Sequence, residues 1–136
     1  MSKIESQNAP EPVGLYPHAR QVGNFLFLSG IGPREKGRKE IPGVKLDQDG
    51  NIISYEIEAQ CHSVFKNVRT VLIDAGSNWN NLVDVTVFLT NMKEDFEIYN
   101  RIYAEYFKDN QPCRTTIEIS SLPTPIAIEL KCIATV

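Results

Sequence analysis

Near its C-terminus the chain reads Pro112-Cys113-Arg114-Thr115-Thr116-Ile117-Glu118-Ile119-Ser120-Ser121-Leu122-Pro123, then Thr124-Pro125-Ile126-Ala127-Ile128-Glu129-Leu130-Lys131. Both halves are rich in Ile and Thr, which favour strands, and the Leu-Pro-Thr-Pro stretch between them breaks the pattern. The sequence therefore predicts two strands joined by a turn. Arg114 opens the first predicted strand, and Glu129 lies inside the second.

Arg114 and Glu129 are the first candidates for a chemical site. Burial beside Ile128 and Leu130 would raise the pKa of Glu129, because desolvation disfavours a charged carboxylate. A guanidinium at a strand end can bind a substrate carboxylate through two hydrogen bonds. The pair predicts an anion clamp beside a proton-transfer group. The alternative is a surface arginine and a glutamate on the solvent-facing side of a sheet, since side chains alternate faces along a strand.

Two helices and two further strands are predicted upstream. Apolar residues three and four apart predict a helix from Glu56 to Ala75, with Ser54 as its cap and Gly76 as its stop. A second helix is predicted over residues 94–108, with an aromatic face assigned to the core. The continuous apolar run Phe25–Ile31 predicts a strand buried on both faces. Between the two helices, alternating apolar residues predict a strand at residues 83–89.

The order of these elements predicts an α+β fold, in which two helices cover one face of a mixed sheet. Residues 1–12 are expected to be irregular, and residues 33–51 to form a long loop. The uncovered sheet face would carry apolar side chains from Phe25–Ile31, with Ala127 and Ile133 beside Glu129. A face of this kind is too apolar to remain exposed. We therefore expect a homo-oligomer in which the open faces meet and bring Glu129 toward an interface.

Composition narrows the class of protein. The 136 residues are expected to form a single domain, residues 1–136. The net charge of −3 and the absence of a basic cluster argue against nucleic acid as a partner. We expect neither a signal peptide nor a membrane span, since no apolar run has the required length. The cysteines Cys61, Cys113 and Cys132 form no CxxC motif, so we expect reduced thiols in a cytoplasmic protein and no metal site.

Five motifs occur in the order found in one known family. They are Gly14-Leu15-Tyr16-Pro17-His18-Ala19; Phe27-Leu28-Ser29-Gly30; Val87-Phe88-Leu89-Thr90-Asn91-Met92; Asp95-Phe96-Glu97-Ile98-Tyr99-Asn100-Arg101-Ile102-Tyr103; and the segment from Pro112-Cys113-Arg114 through Leu122-Pro123 to Glu129. With these motifs the chain resembles the reactive-intermediate deaminase family, also called the Rid or YjgF-type family, over residues 10–136. Each motif is short, and their common order carries the resemblance.

The resemblance implies a chorismate-mutase-like fold and a homotrimer with its sites in clefts between subunits. It implies hydrolysis of enamines or imines to a keto compound and ammonia, with neither a metal nor an organic cofactor. Arg114 matches the arginine that holds the substrate carboxylate, and Glu129 matches the glutamate near the reacting nitrogen and water. The other matched positions are Tyr16 at the cleft mouth, Gly30 and Thr116, whose backbone groups line the pocket, and Asn100, which supports the site.

At two places where it departs from the general family pattern, the chain resembles the 2-aminomuconate deaminase branch of the family. That branch acts in the breakdown of aminophenols, nitroaromatics and 3-hydroxyanthranilate. Pro17-His18 follows the tyrosine, and the segment after Pro33 is long. The 2-aminomuconate molecule carries a second carboxylate, which needs a cation or donor. His18 is the first candidate, and its alternative role is a structural hydrogen bond. Arg34 and Lys36 are the next candidates, each of which could equally be a solvated loop charge.

Three function classes follow. The first is a deaminase specific for 2-aminomuconate, in which Glu129 accepts a proton from the attacking water and returns it to nitrogen. The second is a broad enamine and imine hydrolase that clears reactive intermediates. The third is a non-catalytic ligand-binding or regulatory trimer. Cys113 beside Arg114 suggests a nucleophile, because a cation lowers the pKa of a thiol; its alternative role is a small buried residue.

Overall fold

The computed structural model describes residues 2–136 and consists of a six-stranded sheet, two helices and a separate hairpin. The strands are β1 (Ser2–Ile4), β2 (Ala19–Val22), β3 (Phe25–Leu28), β4 (Val44–Leu46), β5 (Ile52–Tyr55), β6 (Leu82–Leu89), β7 (Cys113–Glu118) and β8 (Ile128–Thr135). The helices are α1 (Ile57–Asp74) and α2 (Met92–Tyr106), with a single 3-10 turn at Trp79–Asn81.

The main sheet has the order β1-β2-β3-β8-β6-β7, in which β6 and β7 run parallel and all other neighbours run antiparallel. This confirms the predicted α+β fold with a mixed sheet. Strands β4 and β5 form their own hairpin within and after the segment predicted as a long loop. The hairpin is joined to α2 by Tyr55, whose hydroxyl donates to Asp95 Oδ2 at 2.7 Å.

Both helices pack on the same face of the sheet, as predicted. The core between them is formed by Leu26 and Leu28 from β3, Val85, Val87 and Leu89 from β6, Leu130, Cys132 and Ala134 from β8, Cys61, Val64, Phe65, Val68, Val71 and Leu72 from α1, and Tyr99, Ile102 and Tyr103 from α2. These positions follow a period of two on the strands and of three to four on the helices, so the hydrophobic pattern was sufficient to identify them.

The opposite face of the sheet has no covering element among residues 2–136, and we call it the open face. It carries Phe25 and Phe27, which are 50% and 39% exposed, together with Ile117 and Ile133. The prediction that the strand from Phe25 is buried on both faces is therefore wrong for the single chain, because its burial alternates residue by residue. Ala127 also differs from the prediction: it precedes β8 and lies in the core.

Several predicted boundaries need correction. Ser2–Ile4 was predicted to be irregular but pairs with β2 as an edge strand, whereas residues 5–12 contain no helix or strand, as predicted. Ser54 belongs to β5 and does not cap α1, whose first residue follows Glu56 without a side-chain cap. Gly76 does end α1, with a φ of +81° that favours glycine. A register shift between Leu82 and Asp84 moves Val83 out of the buried series, which explains its exposure.

Candidate functional site

Glu129 lies on the open face, where β8 pairs it with Phe88 of β6. Its carboxyl group is half-buried, and burial raises its pKa above the ordinary value, as predicted. Within residues 2–136 this carboxyl group makes no hydrogen bond or ion pair. An acidic side chain that is partly desolvated and has no partner is suited to proton transfer near neutral pH.

The position of Glu129 depends on the glycine at residue 30. A Cβ atom placed on Gly30 would lie 2.7 Å from Glu129 Oε2, which is closer than real Cβ contacts allow. The carboxylate therefore lies directly against the main chain that follows β3. Any larger residue at position 30 would displace it, which explains in physical terms why this predicted site residue is a glycine.

Glu129 and Gly30 line a cleft of about 140 Å³ on the open side of the molecule. Tyr16 stands at its edge, 40% exposed, and its hydroxyl accepts a hydrogen bond from the backbone N–H of Val13 at 3.1 Å. The hydroxyl hydrogen of Tyr16 remains able to donate to a ligand. The complete lining consists of Val13, Tyr16, Gly30, Gly32, Arg34, Pro123, Thr124, Ile126 and Glu129. The structure thus brings three predicted site residues together: Tyr16, Gly30 and Glu129.

Arg114 lies elsewhere, on the helix-covered face of the edge strand β7. Its register partner is Val85, a core residue, whereas the partner of Glu129 on the same strand β6 is Phe88. Side chains three residues apart on one strand project from opposite faces. The two predicted catalytic residues therefore do not meet within one chain, and the predicted clamp beside a proton-transfer group is not formed there.

The guanidinium of Arg114 is held in place by side chains of α2. Asn100 Oδ1 accepts a hydrogen bond from Nη1 at 2.8 Å, and the guanidinium carbon lies 4.7 Å from the ring centre of Tyr103 and 5.5 Å from that of Tyr99. The hydroxyl of Thr116 forms a hydrogen bond with Oη of Tyr99, one of these two tyrosines, at 2.9 Å. The arginine is exposed, so the donors that Asn100 does not use are available to a carboxylate.

The sequence assigned Tyr99 and Tyr103 to the core alone. Both are buried, but their rings also form the platform under Arg114. Their spacing of four residues on α2, on either side of Asn100, was a usable signal, because residues i and i+4 share a helix face. What the sequence did not reveal was that this face lies beneath β7.

The structure gives His18 a role within its own chain. Its Nδ1 accepts a hydrogen bond from the backbone N–H of Ser6 at 2.9 Å, so Nε2 carries the proton and donates to Pro10 O at 2.8 Å. Glu5 Oε2 lies 3.7 Å from Nδ1. With both ring nitrogens engaged and the side chain buried, the geometry favours the structural alternative for His18 over binding of a second carboxylate.

Three other sequence expectations concern Cys113, metal binding and membrane spanning. Cys113 is exposed and lies on the open face, opposite to Arg114, so neither the activated nucleophile nor the small buried residue describes it in the single chain. Within residues 2–136, no three or more His, Cys, Asp or Glu side chains are grouped so that they could hold a metal ion. Over the same residues, neither helix is long and apolar enough to cross a membrane.

Comparison with known proteins gives a consistent result. The family model described as Endoribonuclease L-PSP matches residues 6–136. A RutC family protein of Pyrococcus horikoshii is 37% identical over 131 residues, covering 96% of this chain and 94% of that protein. The chloroplastic Reactive Intermediate Deaminase A of Arabidopsis thaliana is 32% identical over 132 residues, covering 97% of this chain and 64% of that protein.

Solved structures share the fold along the whole chain. The YjgF gene product of E. coli superimposes with a TM-score of 0.84 at 27% identity, covering 99% of this chain and 98% of that chain. E. coli TdcF, solved with bound serine, superimposes with a TM-score of 0.85 at 26% identity, covering 100% and 99% of the two chains. The YjgF-type architecture expected from the sequence motifs is therefore confirmed.

Proposed function

The chain belongs to the Endoribonuclease L-PSP family and is similar to Reactive Intermediate Deaminase A over 97% of its length, and we propose that it hydrolyses enamines or imines of 2-amino acids to 2-oxo acids and ammonia. The observation that carries the proposal is Glu129, a half-buried carboxyl group with a raised pKa in an open cleft, without a partner among residues 2–136. The relative crystallised with serine supports a small amino-acid-like ligand.

The proposed active site is assembled from two subunits. One subunit contributes the cleft with Glu129, Gly30 and Tyr16, and its neighbour contributes Arg114 with its support. The two groups lie on opposite faces of one sheet, so a single chain cannot apply both to one small molecule. The exposed Phe25 and Phe27 support an assembly that covers the open face, and a homotrimer is the arrangement we propose.

Each residue then has a defined task. Arg114 binds the carboxylate next to the reacting carbon, and its guanidinium is preorganised by Asn100 and the two tyrosine rings. Protonation of the enamine on carbon gives an iminium, and water attacks the carbon that bears nitrogen. Glu129 accepts a proton from that water and returns it to the amine. The C–N bond then breaks and ammonia leaves, while the new hydroxyl group loses its proton and becomes the 2-oxo group, which balances the proton taken up by carbon. Tyr16 donates from the cleft edge, and the backbone of Gly30 and Thr116 lines the pocket.

Two substrate ranges are compatible with this chemistry. The finer proposal is 2-aminomuconate, a conjugated enamine with two carboxylates. It is supported by the segment after Pro33, which contributes a cation, Arg34, to the Glu129 cleft. A broad deaminase acting on small monocarboxylate enamines is the second candidate, favoured by the similarity to Reactive Intermediate Deaminase A. Rates of ammonia release from 2-aminomuconate and from 2-aminoacrylate generated in situ distinguish the two.

Subunit mixing tests the shared site. Arg114→Ala and Glu129→Gln are each expected to lose nearly all activity alone. When the two variants are co-expressed with different tags and purified as mixed trimers, about a third of the sites regain both intact residues, because each mixed trimer has one junction in which the two intact residues meet. Recovery of activity in the mixed assembly is the expected result. Mixed assemblies as inactive as their parents would place the site within one chain, and a wild type that releases no ammonia would contradict the deaminase itself.

A further inference from the structure

Arg34 is the one cationic side chain among the described residues that line the Glu129 cleft. It also lines an adjoining cavity of about 40 Å³, which shares Tyr16, Gly30 and Gly32 with that cleft. Arg34 therefore stands where the two cavities join. Arg114, by contrast, is on the other face of the sheet and reaches the site only from a neighbouring subunit.

The main chain of Arg34 is clamped to helix α1. The amide of Asn67, which is buried, donates through Nδ2 to Gly32 O at 2.9 Å and to Arg34 O at 2.6 Å. Ser63 adds a third contact, donating its hydroxyl hydrogen to Pro33 O at 2.7 Å. A loop arginine held by its backbone in this way is positioned like a residue on a regular element, which is what a binding group requires.

The side chain of Arg34 is oriented but not neutralised. Its Nη2 donates to Glu11 O at 2.8 Å, which is a backbone carbonyl and carries no charge. The carboxylate of Glu11 is instead paired with Lys36, which lowers the pKa of Glu11. Within residues 2–136 the guanidinium makes no other hydrogen bond or ion pair. Its remaining N–H groups can therefore bind an anion that enters the cleft.

The other candidates for this role are occupied. Both ring nitrogens of His18 are engaged by Ser6 and Pro10, and the ammonium of Lys36 is paired with Glu11. From these contacts we infer that Arg34 binds a second carboxylate of the substrate and makes the enzyme selective for dicarboxylates. The inference rests on the proposed deaminase: Arg114 from the neighbouring subunit binds the carboxylate beside the reacting carbon, and Arg34 binds the far one, on the Glu129 side.

The test compares Arg34→Gln with Arg38→Gln as a matched control. Arg38 belongs to the same loop, is 66% exposed and interacts with Glu35 at 3.8 Å, away from the cleft. In steady-state kinetics, Arg34→Gln is expected to raise KM for 2-aminomuconate about 10- to 100-fold more than KM for 2-aminoacrylate, the effect of losing a charge-assisted hydrogen bond. Arg38→Gln is expected to change neither. Equal changes in both KM values for Arg34→Gln would overturn the inference.

Calorimetry with unreactive ligands separates this result from failure of the deaminase proposal. Muconate and sorbate share one six-carbon diene and differ in their second carboxylate. Wild type is expected to bind muconate more tightly than sorbate, and Arg34→Gln to remove most of that difference, whether or not the protein releases ammonia from any enamine. Equal binding of the two ligands by wild type, no binding of muconate, or an unchanged preference in Arg34→Gln would each overturn the role of Arg34.

Discussion

The position and the raised pKa of Glu129 depend on its neighbours in the chain and on Gly30. Its neighbours in the chain, Ile128 and Leu130, point into the core and hold the strand in place, so its own side chain must project from the open face. Gly30 on the adjoining segment leaves room for the carboxylate to lie against the main chain. Partial burial raises the pKa of Glu129, whose carboxyl group makes no hydrogen bond or ion pair among residues 2–136, and this is the shift expected of the proposed general base.

The pH profile of the enzyme should report this shift. Glu129 must be ionised to accept a proton, so kcat/KM is expected to fall as the pH decreases through the pKa of Glu129. Because burial raises that pKa, the acid limb should lie above the ordinary value of 4.5. Glu129→Gln should lower kcat by about 100-fold with little change in KM and should remove this limb, since the amide cannot take up a proton.

Full activity of Glu129→Gln, or an acid limb that survives the substitution, would assign the base to another group. Glu118→Gln is the matched control for the profile. This glutamate is on β7, is exposed, and accepts a hydrogen bond from the backbone N–H of Met92 at 2.8 Å, away from the cleft.

Helix α1 does more than cover the sheet, because its polar positions organise the segment that follows β3. Gln60 is fully buried and accepts a hydrogen bond from the backbone N–H of Ala127 at 2.8 Å, just before β8. One turn and two turns further along, Ser63 and Asn67 hold the carbonyl groups of residues 32–34. One face of a single helix thus positions the strand that carries Glu129 and the loop that carries Arg34.

Asn67→Ala should therefore weaken both the fold and the cleft. Two backbone carbonyls lose their donor, so the free energy of unfolding is expected to fall by about 1–3 kcal/mol. Urea denaturation at matched protein concentration measures the change, since assembly also contributes to stability. Lys66→Ala, on the exposed side of the same helix turn, is the control and should be nearly neutral. Equal stability of the two variants would show that the Asn67 clamp contributes nothing.

The open face is the feature from which we expect the molecule to assemble. Phe27 and Ile133 are cross-strand neighbours on that face, and Phe25 lies beside them, so the apolar surface is continuous across β3 and β8. Continuous apolar surface of this kind marks an interface. In the assembly that we propose, Arg114 of one subunit reaches Glu129 of another, so burial of the face and completion of the site are expected to occur together.

Phe27→Lys should separate the subunits and abolish activity at the same time. A lysine at the centre of the interface would bury an unpaired charge, which assembly cannot compensate. Light scattering after gel filtration at micromolar concentration is expected to give three chains for wild type and one for the variant, with the helical circular dichroism retained. Ile73→Lys is the control, because Ile73 is 60% exposed on α1 and lies off the open face. A wild type that is monomeric would refute the assembly.

The sequence by itself was enough to predict both helices and the longer strands, and to select Arg114 and Glu129 as the two principal candidate site residues. Periodicity was sufficient for α1, α2 and β6, because the core buries alternate strand residues and one stripe of each helix. The Ile- and Thr-rich composition was sufficient for β7 and β8. The sequence pattern was insufficient for β1, β2 and the β4–β5 hairpin, because strands of three or four residues are too short to show a period of two.

Only the tertiary structure decided how the candidate site is divided. A sequence lists Arg114 and Glu129 on two strands, but strand register and sheet order determine that they project from opposite faces. The roles of His18 and Arg34 likewise depended on contacts between segments. Ser6 and Pro10 form hydrogen bonds with the two ring nitrogens of His18. Asn67 of α1 binds the main chain of Arg34, which lines the cleft. Hydrogen bonds between segments distant in the chain produce no periodic pattern in the sequence. The structural histidine and the candidate binding arginine can therefore be told apart only in the folded chain.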